Sequence, residues 1–397
     1  MISIFKNMKI IYIHQYFRTF EESGAIRSYY LAKKLVENNC EVHIITTHNQ
    51  KKYQLDDYKG IKIHKLPIFY DNSLGIFGRI YAFLQFSYQS YQFAKKLLPA
   101  DLIYATSTPL SVGFTAYLLR KKIPYIFEVR DLWPEVPESL GIIKNKILLK
   151  IIYHYQKKIY QEAKMIITLS PLMEEGVKKR NIDEKKIKTI PNFADTLFFE
   201  NNNNTIKYNQ NQKILLYSGT LGYANDLSQM LEIATFAKKN QKKEWKFFIV
   251  GEGAEKEKLI NFTIKNQLDN VVFIPFADKF EIKKLMREAN AIYISFRQNK
   301  ALEANSPNKF FDALAAAKPI IINIKGWLKD LIEQNKCGFY IDSKQPDTFF
   351  DCPLWQENNE QVYGNNARQL AETRFSEKEM TEKWWKIILE VKSMLKK

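Results

Sequence analysis

Ser306-Pro307-Asn308-Lys309-Phe310-Phe311-Asp312-Ala313-Leu314-Ala315-Ala316-Ala317-Lys318-Pro319-Ile320 decides how the chain is read. The spacing predicts a loop, a short helix, a turn and a buried strand. Ser306 suits a helix cap and Pro307 its first turn, because proline lacks the N–H that would be orphaned there. Pro319 ends the helix, and Ile320-Ile321-Ile322 has the unbroken apolar character of a parallel strand covered on both faces. Free N–H groups at a helix start attract anions, and Lys309 adds a point charge in that first turn. Asp312 follows one turn later, so both side chains can face one ligand. A cation for phosphate beside a carboxylate for sugar hydroxyls is what a nucleotide-sugar requires. The same spacing also fits a capped surface helix with ordinary charges.

Upstream of this stretch the pattern repeats. Ile214-Leu215-Leu216-Tyr217 reads as a strand, followed by Ser218-Gly219-Thr220-Leu221-Gly222 and a helix from about Asp226. Phe247-Phe248-Ile249-Val250 ends at Gly251-Glu252-Gly253, another strand-to-helix glycine turn. Val271–Ile274 and Ala291–Ile294 are further strands, the latter followed by Arg297. Glycine turns on one sheet edge let backbone approach a phosphate. Each is weak alone, since such turns often use glycine for geometry.

The first half has the same alternation. Lys9–His14 is a strand; a loop through Gly24 and a helix from about Arg27 to Glu37 follow, then the strand Val42–Thr46. This is the opening of a doubly wound α/β sheet. Gly24 does not stand in a full Gly-x-Gly-x-x-Gly set, so a bound dinucleotide is not expected. Leu102–Ala105 runs into Thr106-Ser107-Thr108-Pro109, and Tyr125–Val129 into Arg130-Asp131-Leu132-Trp133-Pro134-Glu135. Ligands sit beyond the carboxyl ends of strands in such sheets. Asp131 is therefore a candidate carboxylate for activating or orienting an acceptor; a structural Arg130–Asp131 ion pair is the alternative. Further strands are Ile166–Ser170 and Ile187–Asn192.

Residues 74–98 differ in character. From Ile80 to Ala94 no residue is charged, six aromatics crowd the segment, and Arg79 and Lys95-Lys96 bracket it. Aromatic rings with basic ends suit the surface of an anionic membrane. A core helix is the alternative. At the other end, a helix from Glu377 to Lys397 carrying Trp384 and Trp385 is expected to pack back on the first domain.

At 397 residues the chain is too long for one core. The expected domains are 1–196 and 213–376, joined by an asparagine-rich linker, 197–212, and followed by the helix 377–397. The net charge is +17, with 30 Lys and Arg against 19 Asp and Glu in residues 1–200. That favours anionic partners: a membrane surface, phosphorylated substrates or nucleic acid. No basic-aromatic single-strand motif supports nucleic acid, and none is expected as a partner. Three distant cysteines form neither a zinc pattern nor a disulfide framework, consistent with a reducing cytoplasm. No secretory leader and no membrane span is expected.

These pieces resemble the family 4 glycosyltransferases, and within them the branch of bacterial capsule and O-antigen assembly that includes the fucosamine transferases. The resemblance rests on His14-Gln15-Tyr16-Phe17, Gly24 to Ser28, Ala105 to Leu110, Phe127 to Glu135, Pro191-Asn192 and Ser306 to Asp312. It implies two facing Rossmann-like domains (the GT-B fold) with an interdomain cleft. The nucleotide-sugar would bind the second domain. Lys309, Arg297 and the amides around Gly219 and Thr220 would meet the pyrophosphate, with Ser306, Asn308 and Glu303 in the same set. Asp312 would bond the ribose, and Gly251 would lie near the base. His14 and Asp131 would be the catalytic pair, with Gly24, Arg130 and Glu135 on the acceptor side. The chain departs from the family's paired glutamates: the second position is Asp312, the first is Ala304, and Glu303 is offset by one. Thr220 and Asn225 stand where the family has Arg and Lys.

The expected activity is a retaining sugar transfer from a nucleotide-diphospho-sugar, UDP-linked, to a saccharide on a polyprenyl diphosphate or a related acceptor. The enzyme would work at the inner face of the plasma membrane. No Asp-x-Asp occurs in the sequence, so no metal or other cofactor is expected. A non-hydrolysing UDP-sugar epimerase on the same fold, or a non-enzymatic binder of membrane or nucleic acid, are the rivals.

Overall fold

The computed structural model describes residues 8–22, 24, 26–71, 74–200, 212–275 and 277–395. The chain divides into two compact units: Met1–Pro191 with Met380–Lys397, and Asn192–Glu379.

Unit 1 is built from β1 (Lys9–Ile13), α1 (Arg27–Glu37), β2 (Glu41–His48), β3 (Gln54–Tyr58), β4 (Ile61–Pro67), α2 (Ile76–Lys96), β5 (Leu102–Thr106), α3 (Ser111–Leu119), β6 (Tyr125–Val129), α4 (Glu135–Ser139), α5 (Lys146–Glu162), β7 (Met165–Thr168), α6 (Pro171–Lys178) and β8 (Ile187–Thr189). Its eight strands run in the order β3-β4-β2-β1-β5-β6-β7-β8, parallel except for β3. Strands β1, β5, β6 and β7 are almost wholly buried, which is why they read as largely apolar runs. Exposed β3 has no such signal.

Unit 2 contains β9 (Lys213–Ser218), α7 (Ser228–Lys239), β10 (Trp245–Val250), α8 (Lys256–Lys265), β11 (Val271–Ile274), α9 (Lys279–Glu288), β12 (Ala291–Ile294), α10 (Asn308–Ala315), β13 (Ile320–Ile322), α11 (Trp327–Gln334), β14 (Gly338–Tyr340) and α12 (Asn359–Arg374). Its parallel sheet has the order β11-β10-β9-β12-β13-β14. The core packs around Tyr217, Met230, Trp245, Phe247, Tyr293 and Phe349, all buried.

Each sheet reverses its winding once, between β1 and β5 in unit 1 and between β9 and β12 in unit 2. The loops leaving those strands diverge there, which opens a crevice at the carboxyl edge.

The first domain was expected to run to residue 196. Residues 192–200 belong instead to unit 2. Asn192 Nδ2 donates to the Ser306 carbonyl at 2.5 Å, and Ala194 pairs through its backbone with Phe375 and Glu377 at 2.7 and 3.0 Å. These bonds join residues more than a hundred positions apart, and no local pattern in the sequence signals them. Residues 201–211 of the expected linker lie outside the described residues. The last helix, α13 (Glu377–Met394), sits with unit 1 from Met380 onward. There Trp384 Nε1 donates to the Tyr104 hydroxyl at 2.9 Å. All three cysteines are buried and free.

Candidate active site

The unit 2 edge is organised by Tyr217, the penultimate residue of β9. Its hydroxyl donates to the Thr220 carbonyl at 2.8 Å and accepts from Lys309 Nζ at 2.8 Å. The Lys309 ammonium lies over the Tyr217 ring, 4.0 Å from its centre. Gly219 makes room for it: with φ at +148°, a Cβ on Gly219 would sit 2.8 Å from Nζ. Among the described residues no carboxylate lies within ion-pair distance of Lys309. Burial without an anion pushes its amine down to about 7.

Ser306 was expected to cap α10, with Pro307 in its first turn. The cap residue is Pro307, and the helix opens at Asn308 without a side-chain cap. The Ser306 hydroxyl is directed elsewhere: it accepts the Asn192 N–H at 3.4 Å. Phe310 N–H bonds the Pro307 carbonyl. The amides of Asn308 and Lys309 are thus left at the mouth of the site, beside a cation lacking an anion.

Asp312 lies one turn further along. Burial raises its carboxyl to about 6; Lys279 opposes this and Asp195 adds to it. Lys279 and Asp195 are themselves paired at 2.9 Å.

Gly251 is required by the backbone, not by a base. At φ +140°, a Cβ there would lie 2.0 Å from the Gly219 carbonyl oxygen. Gly219 and Leu221 donate to the carbonyls of Val250 and Glu252, zipping the two loops together. Thr220 is exposed on the rim. Arg297, expected on the pyrophosphate, bonds the Tyr223 carbonyl at 3.1 Å and pairs with Asp226 at 3.3 Å. Its charge is met by Asp226 on the neighbouring loop. Glu303 sits half-exposed in the turn Lys300–Ala304.

On the unit 1 edge the loops after β1, β5 and β6 converge. Asp131 Oδ2 accepts the Thr108 hydroxyl at 2.7 Å, and the Arg130 N–H donates to Ser107 Oγ at 2.9 Å. Burial raises the Asp131 carboxyl above its ordinary value, against Thr108 and Arg130. The alternative Arg130–Asp131 pairing gives way to another: Arg130 Nη1 meets His14 Nε2 at 3.3 Å. Guanidinium only donates, so Nε2 accepts and the neutral ring carries its proton on Nδ1. Burial, then Arg130 and Arg18, hold His14 well below the ordinary imidazole range. Nδ1 is buried with no partner among the described residues. His14 is thereby a fixed hydrogen-bond donor rather than a proton acceptor.

Gly24 is exposed in the β1–α1 loop at φ +121°. Glu135, expected on the acceptor side, is committed to the fold. It accepts from Arg180 Nε at 3.1 Å and from Gln156 Nε2 at 3.1 Å.

Glu128 and Arg27 were not singled out from sequence as a pair. Glu128 Oε2 accepts from Arg27 Nε and Nη2 at 3.1 and 3.0 Å and from the Tyr104 hydroxyl at 2.6 Å. Its Oε1 accepts the Thr106 hydroxyl at 2.7 Å. A lone carboxylate inside Tyr125-Ile-Phe-Glu-Val was the available signal.

Each of the two Rossmann-like α/β units gathers polar and charged groups at its switch point. Two family descriptions fit end to end: "Glycosyltransferase Family 4" over residues 25–197 and "Glycosyl transferases group 1" over 198–369. The chain belongs to these glycosyltransferases, and its fold is GT-B. TuaH of Bacillus subtilis, a glycosyltransferase provisionally placed in teichuronic acid biosynthesis, is 23% identical over 257 residues, 63% of either chain. The match thus spans under two thirds of that relative's length. Sucrose-phosphate synthase from Thermosynechococcus elongatus superimposes with a TM-score of 0.77 at 14% identity, covering 98% of this chain and 100% of that one. HepE of Anabaena, solved with UDP-glucose, gives 0.69 at 14% identity, covering 96% and 100%. At such identities the structures share the fold. The fucosamine-transferase branch is not singled out by these matches.

Proposed function

We propose that the chain moves a sugar from a nucleotide-diphospho-sugar, UDP-linked, to a saccharide acceptor in surface polysaccharide synthesis. The observation that carries this reading is the Lys309 ammonium, held by Tyr217 and Gly219 at an uncapped helix start with no carboxylate beside it among the described residues. The α10 amides and Lys309 receive the diphosphate and stabilise the charge that grows on it as the glycosidic bond breaks. Asp312, ionised, accepts the ribose hydroxyls. In unit 1, Asp131 accepts a hydroxyl of the acceptor, and His14 Nδ1–H donates to an oxygen beside it. The lack of an Asp-x-Asp pair supports a transfer that needs no divalent metal; family resemblance supports retention. TuaH, named for teichuronic acid biosynthesis, and HepE, solved with UDP-glucose, support this reading of polymer and donor.

The acceptor's carrier is a lipid. No helix among the described residues is long and apolar enough to cross a membrane. Contact with the bilayer is made through α2, which exposes Phe77, Tyr81, Leu84 and Tyr88.

Thermal stabilisation tests the donor assignment, since a ligand of the native state raises Tm by mass action. UDP and UDP-sugars are expected to raise it more than GDP compounds, equally with magnesium or EDTA. No shift with any nucleotide would overturn the reading. Labelled sugar appearing on lipid-linked acceptor then establishes transfer; isomerised donor in its place would mark an epimerase.

A further inference from the structure

The helix layer over one face of the unit 1 sheet is apolar on its outer side. The crossovers from β4 to β5, β5 to β6 and β6 to β7 all step the same way along the sheet. Such connections are right-handed, which puts α2, α3 and α5 on one face. Ser90 of α2 hydrogen-bonds Thr115 of α3 at 2.9 Å, and Phe114 of α3 meets Tyr155 of α5 edge-on at 5.5 Å. The three helices therefore form one continuous layer.

What that layer turns to solvent is unusual. On α2, Phe77 is 89% exposed, Tyr81 68%, Leu84 63% and Tyr88 66%. Their spacing makes a single stripe. On α5, Ile147 is 74% exposed and Ile151 49%. Rows of exposed apolar side chains on helices of one layer mark an interaction site.

We infer that α5 joins α2 in one lipid-contacting surface, and that its partner is an anionic bilayer. This rests on the proposed lipid-linked acceptor and extends it to a second helix. Charge selects the partner. Residues 139–161 hold five lysines and no Asp or Glu; residues 72–100 hold Arg79, Lys95 and Lys96 and again no acid. Lysines beside aliphatic and aromatic side chains match headgroups above acyl chains. A second copy of the chain would set lysines against lysines.

The geometry also gives the surface a direction. α2 follows β4 and α5 follows β6 and α4, so both helices begin at the carboxyl edge that holds His14, Thr108 and Asp131. Phe77 and Ile147, the most exposed member of each helix's set, lie in the first turns. Lipid contact is strongest at the end of the layer beside the acceptor groups, where a carrier-borne saccharide would emerge from the bilayer.

The test is co-sedimentation of the full chain with phosphatidylcholine vesicles, with and without phosphatidylglycerol, at low and high salt. Binding is expected only with the anionic lipid and should weaken with salt. Ile147→Ser with Ile151→Ser should lower vesicle partition about tenfold, with Tm and UDP binding unchanged. Lys144→Gln, Lys146→Gln and Lys150→Gln together should remove the preference for anionic lipid. Phe77→Ser with Tyr81→Ser is the parallel α2 variant. If that variant loses binding and the α5 variants do not, the inference for α5 fails and the α2 reading stands. If wild type ignores vesicles, both fail, whatever the nucleotide results. Concentration-dependent self-association without vesicles, abolished by the isoleucine changes, would assign the face to a second copy instead.

Discussion

Two charged sites of this molecule are treated in opposite ways. In unit 1, Arg27 and Glu128 lie wholly buried, and each polar atom has a partner. Arg27 also donates to the Pro191 and Ile190 carbonyls at 2.6 and 3.0 Å. Burial pushes the Glu128 carboxyl up, but Arg27, Arg130 and Tyr104 outweigh it, so the group stays below the ordinary range. In unit 2, Lys309 is pressed against an aromatic ring with one hydroxyl and no anion, and its amine falls to about 7. A closed ion pair holds the chain together. A cation without an anion carries a cost to stability, and the proposed function gives that cost a use. The contrast between the two lies in their partners.

The largest effect should come from opening the closed pair. Glu128→Gln keeps the shape but leaves the Arg27 guanidinium uncompensated, which costs about 3–5 kcal/mol. Thermal unfolding should show a large fall in Tm. Adding Arg27→Met should restore part of the loss, because both charges are then gone. A double variant no more stable than Glu128→Gln alone would break the claim that the pair acts as one unit.

Lys309→Met should do the reverse. The amine titrates near 10.5 when unfolded and about 7 when folded, so the native state is penalised below pH 7 and the penalty fades as pH rises toward 10.5. The variant should therefore match or exceed wild type in Tm at pH 7. It should also raise the donor KM by about 10- to 100-fold, the worth of one charge-assisted contact to phosphate. In wild type, donor affinity should fall as pH rises through about 7, since only the ammonium attracts phosphate. A variant that loses stability but binds UDP normally would move Lys309 into the structural class.

Asp312→Asn sharpens the same contrast from the acid side. The folded carboxyl titrates near 6 and the unfolded one near 3.8. Folding is penalised in full above pH 6, and the penalty disappears as pH falls through 6 toward 4. The amide should therefore raise stability by about 1–2 kcal/mol at pH 8 and change it little at pH 4. Donor KM should rise severalfold, since a neutral group accepts ribose hydroxyls less well. Together with Lys309 this predicts tightest UDP binding between about pH 6 and 7.

The closed and open sites were not equally legible in the sequence. Strands β1, β5, β6, β9, β10 and β13 announced themselves because burial leaves mostly apolar residues. Lys309 and Asp312 were visible because a helix start and a one-turn spacing are local features. The Arg27–Glu128 pair was not, since 101 positions separate its members and nothing local joins them. The partners of Arg297 and Glu135 were hidden for a related reason. Each stands at a strand's carboxyl end, as a ligand-binding residue should, but Asp226 and Arg180 had already engaged them. Position along the chain reveals which edge a side chain reaches; its partner decides what it is free to do.

The smallest effect tests how the open site is kept open. Asn192 fixes Ser306 twice: its N–H takes the hydroxyl and its side-chain amide takes the carbonyl. The first bond withholds the hydroxyl from α10; the second fixes the loop that leads into the helix. Asn192→Ala removes only the second, and with it a buried Oδ1 that has no partner, so the stability terms nearly offset. Tm should change little. Donor KM should rise about two- to fivefold with kcat nearly constant, as expected when ground-state and transition-state binding fall together. UDP binding should weaken while uridine binding does not, because the loop serves the phosphates. Equal weakening of both would show that Asn192 merely supports the fold around α10.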